Sequence, residues 1–297
     1  MTVLYALLAA LGNALNVTTQ HAASISSPKK TTGWRLVVYL FRNPLWLFGW
    51  IALAGAFIFQ ALALDVGQMS VVQPLLVVEL VFALVLRRTW LRQRIRPVTW
   101  WAAVVTCASL AVFLATSEPQ GGHSFPDSRA WIAACATVAG SAAALALLGT
   151  RGPPARRAAL LGTATAAMWA LVATFIKTMT QTLSQFGVAG LFTHWPVYAL
   201  AVAGLATEVL QQATLHAGPL SVSQPFLVIV DPMVSIALSV WIFDEYFTED
   251  ALRLTVGAAS FVALCAAVAV LTRTAPATMS APEPAQAVAP PGDQRPP

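Results

Sequence analysis

Three carboxylates fall near the middle of long apolar runs: Glu79, Glu208 and Asp231. A central Asp in lipid costs about 2.5–3.5 kcal/mol on insertion scales, so each should face a bundle interior and find a partner there. Such a group either binds a proton or a cation, or serves as a structural carboxylate hydrogen-bonded to a neighbouring helix. Both readings stay open on spacing alone. Amides accompany the carboxylates. Gln224 and Asp231 are seven apart and share a helix face, as do Glu208, Gln211 and Gln212 at i, i+3 and i+4. Gln73 and Glu79 are six apart and point about 120° away from each other on a regular helix. Asn13, Asn16 and Gln20 make one polar stripe, either cavity lining or interhelical hydrogen-bond glue. Pro74 and Pro225 directly follow Gln73 and Gln224. Each is either tolerated in an early turn or breaks its helix and frees carbonyls toward a cavity.

The elements that must position these residues follow from composition. The chain of 297 residues is 58% hydrophobic and 10% charged, with a mean hydropathy of +0.70. Soluble domains carry about 25% charged residues, so this is a membrane composition. Runs near the ~20 residues that span a bilayer lie at 2–22, 44–64, 68–88, 97–116, 130–149, 158–178, 195–215, 219–242 and 252–272. The expectation is an all-α integral membrane protein with about nine transmembrane helices. It divides into a first half at 1–116, a linking helix with its loops at 117–157, a second half at 158–273 and a Pro/Ala-rich disordered tail at 274–297. The first run lacks a basic leader and carries Asn13, Asn16 and Gln20, so it reads as a retained helix, not a cleaved signal. Cys107, Cys135 and Cys265 lie inside apolar runs and read as small packing residues.

The net charge of +5 could suggest nucleic acid, but the placement of the charges argues for orientation instead. Lys29, Lys30, Arg35 and Arg42 precede the second helix; Arg87, Arg88, Arg92, Arg94 and Arg96 follow the third; Arg151, Arg156 and Arg157 precede the sixth; Arg273 and Arg295 end the chain. On a nine-helix path these fourteen of seventeen basic residues share one side, the cytoplasmic one by the positive-inside rule. The expected location is the cell membrane, with the N-terminus outside and the C-terminus cytoplasmic. No nucleic-acid partner is expected.

Sliding the chain by 151 residues aligns QALALDVGQMSVVQPLLV (60–77) with QQATLHAGPLSVSQPFLV (211–228), identical at 9 of 18 positions including Gly67, Ser70, Gln73 and Pro74. Matches at Gly, Ser, Gln and Pro in one register point to an internal duplication. Just beyond the block each copy has a carboxylate, Glu79 in one and Asp231, one position further along, in the other. Corresponding helices are five apart, an odd number, so the copies cross in opposite senses: an inverted repeat, the architecture of many secondary transporters. The flanking charges agree, with arginines after the first copy and Asp244, Glu245, Glu249 and Asp250 after the second.

Other residues read more blandly. Lys177 is expected to snorkel to the interface, with substrate contact as the alternative. His21 and His216 lack metal-ligand spacing, and Trp46, Trp50, Trp100, Trp101, Trp195 and Trp241 suit interfacial belts. The acidic 244–250 turn reads as solvated. No P-loop, Rossmann fingerprint, HExxH or GxSxG is present, so neither an enzyme nor a nucleotide-driven pump has a visible site, and no cofactor is expected.

DVGQMSVVQPLLVVELVF and HAGPLSVSQPFLVIVDPMVSIALSVWIFDE resemble the duplicated EamA-type pattern of the drug/metabolite transporter superfamily. NPLWLFGW and the helix count look more like the branch of NIPA-type magnesium transporters. The resemblance covers about residues 1–273 and implies a ten-helix ancestor that lost one helix. A short tenth segment around 33–43 is the competing count. The expected function is alternating-access transport of a small solute or cation, proton- or cation-coupled through Glu79, Asp231 and Glu208. A uniporter or channel-like path for Mg²⁺ is one alternative, and a non-transporting scaffold or receptor is another. Which metal, if any, is bound stays open, as does a homodimer through small-residue faces near Gly140 to Ala144.

Overall fold

The computed structural model describes residues 1–25, 43–121 and 128–274. The expected tail, the segment around 33–43 and the basic residues Lys29 to Arg42 fall outside the described residues. Among the described residues ten helices and two very short strands follow one another: α1 (Thr2–Ile25), α2 (Pro44–Val66), α3 (Met69–Leu76), α4 (Glu79–Thr89), α5 (Pro97–Ser117), β1 (Gln120–Gly121), α6 (Ser128–Leu148), α7 (Pro154–Thr193), α8 (Pro196–Ala217), α9 (Leu220–Phe243), β2 (Glu245–Tyr246) and α10 (Ala251–Thr274). Eight spans among the described residues, with α3 and α4 counted together as Met69–Thr89, are long and apolar enough to cross a membrane. The protein is therefore an all-α membrane protein.

Helices are forced here because lipid offers backbone groups no other partner. Their starts are written locally. Pro44, Pro97, Pro154 and Pro196 open α2, α5, α7 and α8, where a missing N–H costs least. Asn43 caps α2 by accepting a hydrogen bond from Leu45 N at 3.0 Å. Two elements differ from expectation. The helix expected at 158–178 runs for 40 residues to Thr193, bending at Gly187, whose φ of +67° suits only glycine well. The helix expected at 195–215 forms as α8 but is not among the eight apolar spans, because Glu208, Gln211 and Gln212 dilute it.

Packing relies on close approach of small residues, since lipid removes the hydrophobic drive between helices. On α1, Ala6, Ala9, Ala10 and Ala14 are buried, and a Cβ at Gly12 would meet Ala52 O and Ala56 Cβ of α2 at 2.9 Å. Gly162 of α7 approaches Ser223 of α9 in the same way, 3.0 Å from its carbonyl. α7 is the most enclosed element; Ala164, Ala166, Ala170 and Thr174 are wholly buried. It therefore acts as the central pillar, flanked by α2, α6, α8 and α9.

Side-chain contacts sort the helix termini into two ends. At one, Thr2 donates to Val66 O, Ser184 donates to Asp65, Arg253 pairs with Glu118 at 2.7 Å, and β1 pairs antiparallel with β2. At the other, Thr99 at the start of α5 donates to the carbonyl of Thr274 at the end of α10, and Gly218 abuts Pro154. We call these the strand end and the opposite end.

Candidate functional site

Glu79 is the first residue of α4 and the eleventh of the Met69–Thr89 span. It occupies that position because the helix breaks just before it. Pro74 has no N–H to give, and beyond it the chain tightens: Val77 N donates to Pro74 O at 3.2 Å and Val78 N to Leu75 O at 3.1 Å. The span is thus interrupted by a tightened turn at Val77 and Val78, both of which keep right-handed helical backbone angles. In the second copy α9 runs unbroken through both Pro225 and Pro232. Because the turn at Val77 and Val78 separates α3 from α4, a regular-helix angle between Gln73 and Glu79 does not apply.

The half-buried Glu79 carboxylate accepts a hydrogen bond from the Asn13 side chain of α1. Asp231, the twelfth of the 24 residues of α9, is also half-buried; it accepts from Ser235 Oγ at 3.2 Å and lies within electrostatic reach of Glu79. The structure thus brings together two mid-depth carboxylates, one from each sequence copy, with an amide and a hydroxyl. Gln73 is buried and its Nε2 has no partner among the described residues. Gln224 is half-buried on α9. Chemically, such a set can take up a proton or coordinate a small cation through hard oxygen donors.

Other predicted residues are not assembled with it. Glu208 and Gln212 are exposed on the outer face of α8 beside Leu205 and Val209, which corrects the expectation that Glu208 faces the bundle interior. The apolar residues flanking Glu208 gave its depth but not its direction. Gln211 turns away from Glu208 and accepts from Trp169 Nε1 of α7 at 2.6 Å. Gln20 donates to Asn16 at 2.6 Å within α1, so that part of the stripe is satisfied locally. Among the described residues no group of three or more His, Cys, Asp or Glu side chains comes together. A magnesium path would rest on two carboxylates, amides and retained waters. Cys107 is exposed, not packed, whereas Cys135 and Cys265 are half-buried.

A second constellation, at the strand end, was not anticipated. Lys177 Nζ lies 2.6 Å from Glu245 Oε1. Both are enclosed, at 4% and 1% exposure, so Lys177 does not snorkel and this part of the acidic turn is not solvated. Glu245 also accepts from the first two amides of α3, Met69 N at 2.9 Å and Ser70 N at 3.1 Å, and from Ser70 Oγ at 2.7 Å. The positive end of α3 and the ammonium thus share one carboxylate. Burial alone would raise the pKa of Glu245, but Lys177, Ser70 and Met69 outweigh it and hold the carboxyl below its ordinary value. Beneath the pair, Lys177 Nζ sits 4.5 Å from the centre of the Phe243 ring, and Trp131 stacks on Phe175 at 5.3 Å. Strand pairing aims the carboxylate: Gly121 lies opposite Glu245, which points inward while Tyr246 is exposed. One signal for this was present in sequence, a lysine inside an apolar span. Its partner, 68 residues away, was not deducible.

The chain is similar to an uncharacterised protein of Corynebacterium glutamicum, 28% identical over 249 residues, which span 83% of this chain and 86% of the relative. No family model and no solved structure matches it.

Proposed function

We propose that this protein is a transporter of the cell membrane that moves a small solute or cation by alternating access, coupled to proton or cation binding at Glu79 and Asp231. The observation that carries this reading is the placement at mid-depth of two carboxylates, one from each sequence copy, within electrostatic reach of each other. Ionisable groups kept at such depth mark ion and proton paths, and a site between duplicated halves is where alternating access needs one. The packing supports an inverted repeat of nine crossings, α8 included. α1 on α2 is matched by α7 on α8, α1 on α4 by α7 on α9, and α5 packs with α10 across the halves. In this reading the N-terminus and the strand end face outward, and the arginine-rich opposite end faces the cytoplasm.

The test begins with ligand discovery. Divalent cations, amines and amino acids are screened by thermal shift; a ligand at about 100 times its Kd stabilises by roughly 2.7 kcal/mol. The hit, radiolabelled, is then followed into proteoliposomes under an imposed pH or cation gradient. Glu79→Gln with Asp231→Asn should abolish gradient-driven uptake, while Glu208→Gln, altered at an exposed position, should transport like wild type. Wild-type uptake by the double variant would remove the coupling assignment.

A further inference from the structure

The Lys177–Glu245 constellation has no part in the mid-depth site, yet it spans the proposed halves. Met69 and Ser70 belong to the first; Lys177 and Glu245 belong to the second. Every hydrogen bond that Glu245 accepts from α3 must therefore break if the halves part at this end. Around it the closure is tightly packed: Thr174 Oγ1 contacts Met69 Sδ at 3.7 Å, and Phe243 is wholly buried. The mid-depth residues contrast with this. Asn13, Glu79, Gln224 and Asp231 are each only half-buried, whereas Ser70, Lys177, Phe243 and Glu245 leave almost no surface at the strand end.

A buried ion pair is a poor device for stability alone, since desolvation consumes most of the Coulomb gain and apolar substitutes often do as well. It is, by contrast, an effective two-state contact: complete when docked, and rehydrated on both sides when parted. We propose that Lys177, Glu245 and the Ser70 end of α3 form the strand-end gate of the transporter, and that the structure is the state closed at this end. The proposal rests on the alternating-access reading. One residue separates Glu245 from the end of α9, so the gate opens by withdrawing the α3 N-terminus from a carboxylate that stays with the second half.

Spin-label distances test this without any substrate. In a full-length background with Cys107, Cys135 and Cys265 changed to alanine, one label pair is placed at Val66→Cys and Leu252→Cys, exposed positions at the strand end on either half. A second pair reports the opposite end, at Trp90→Cys and Ala155→Cys. In nanodiscs the parent should give one dominant strand-end distance. Glu245→Gln and Lys177→Met should each raise a longer strand-end population about tenfold, as loss of a closed-state bias of one to two kcal/mol would. The opposite-end pair should shorten in the same molecules. Ser70→Ala, which keeps the ion pair but removes one cross-half bond, should act in the same direction more weakly; it serves if either charge variant elutes as aggregate. Unchanged distances in folded Ser70→Ala and in the folded charge variants would overturn the gate. So would a strand-end change with no response at the opposite end, which is local fraying. Failure of the transport reading looks different: the distances respond, but no screened ligand gives gradient-driven uptake.

Discussion

At the scale of single residues, depth was legible in the sequence but direction and partner were not. Apolar neighbours on both sides placed Glu79, Asp231 and Glu208 in mid-span equally well. Only the fold brings the first two within electrostatic reach of each other and leaves the third exposed. Lys177 and Glu245 fail in another way, because a lysine near the end of an apolar run has a cheap solution in snorkelling, and its place in that run names no partner. The buried pair makes a prediction of its own. Lys177→Met alone strands a buried carboxylate and should cost about 3–5 kcal/mol, and adding Glu245→Gln should recover part of that loss. The pH dependence follows from the lowered pKa of Glu245. A depressed carboxyl stabilises the folded state above its unfolded value of 4.5, and that contribution is lost as pH falls through the lower folded value. Melting temperatures from pH 7 to pH 3 should therefore drop for wild type and stay flatter over the acidic limb for Glu245→Gln.

At the scale of elements, helix starts were readable because proline and asparagine write them locally, and the observed starts of α2, α5, α6, α8, α9 and α10 fall within two residues of expectation. What sequence could not supply was continuity. Pro74 and Pro225 occupy matching positions, yet one helix breaks and the other does not, since a proline fixes only its own φ and the neighbours decide whether the turn recovers. The β1–β2 contact was equally invisible, two residues on each side carrying no pattern at all. Its demands are nonetheless sharp. Gly121 has φ +78°, and a Cβ there would lie 2.7 Å from both the Asp244 carbonyl and the Tyr246 ring. Gly121→Ala should lower the melting point through a left-handed penalty of about 1–2 kcal/mol plus that clash. Gly140→Ala, in a helix with open space around the glycine, should be neutral or slightly stabilising. Differential scanning of the two variants side by side checks this, and equal melting points would show that the strand pair carries no weight.

At the scale of the whole molecule, the two ends differ in charge as the duplicated sequence implies. Arg88, Arg92, Arg94, Arg96, Arg151, Arg156, Arg157 and Arg273 gather at the opposite end, and Asp65, Glu118, Asp244, Glu249 and Asp250 at the strand end, where Arg129 and Arg253 also lie. The threading that produces this sorting depends on α8 crossing despite its polar residues. Were α8 to stop short, Gly218 could not meet Pro154 while α7 carries Lys177 to the strand end. The proposed orientation of the bundle rests on the positive-inside rule, and a labelling experiment reads it directly. In the cysteine-free background, Gln120→Cys on β1 should react with a membrane-impermeant maleimide added to intact cells. Arg151→Cys, between α6 and α7, should react only after permeabilisation. The opposite pattern would invert the molecule and make the proposed gate cytoplasmic. Labelling of both positions from the same side would break the alternation of the two ends, and with it the inverted relation of the halves on which alternating access depends.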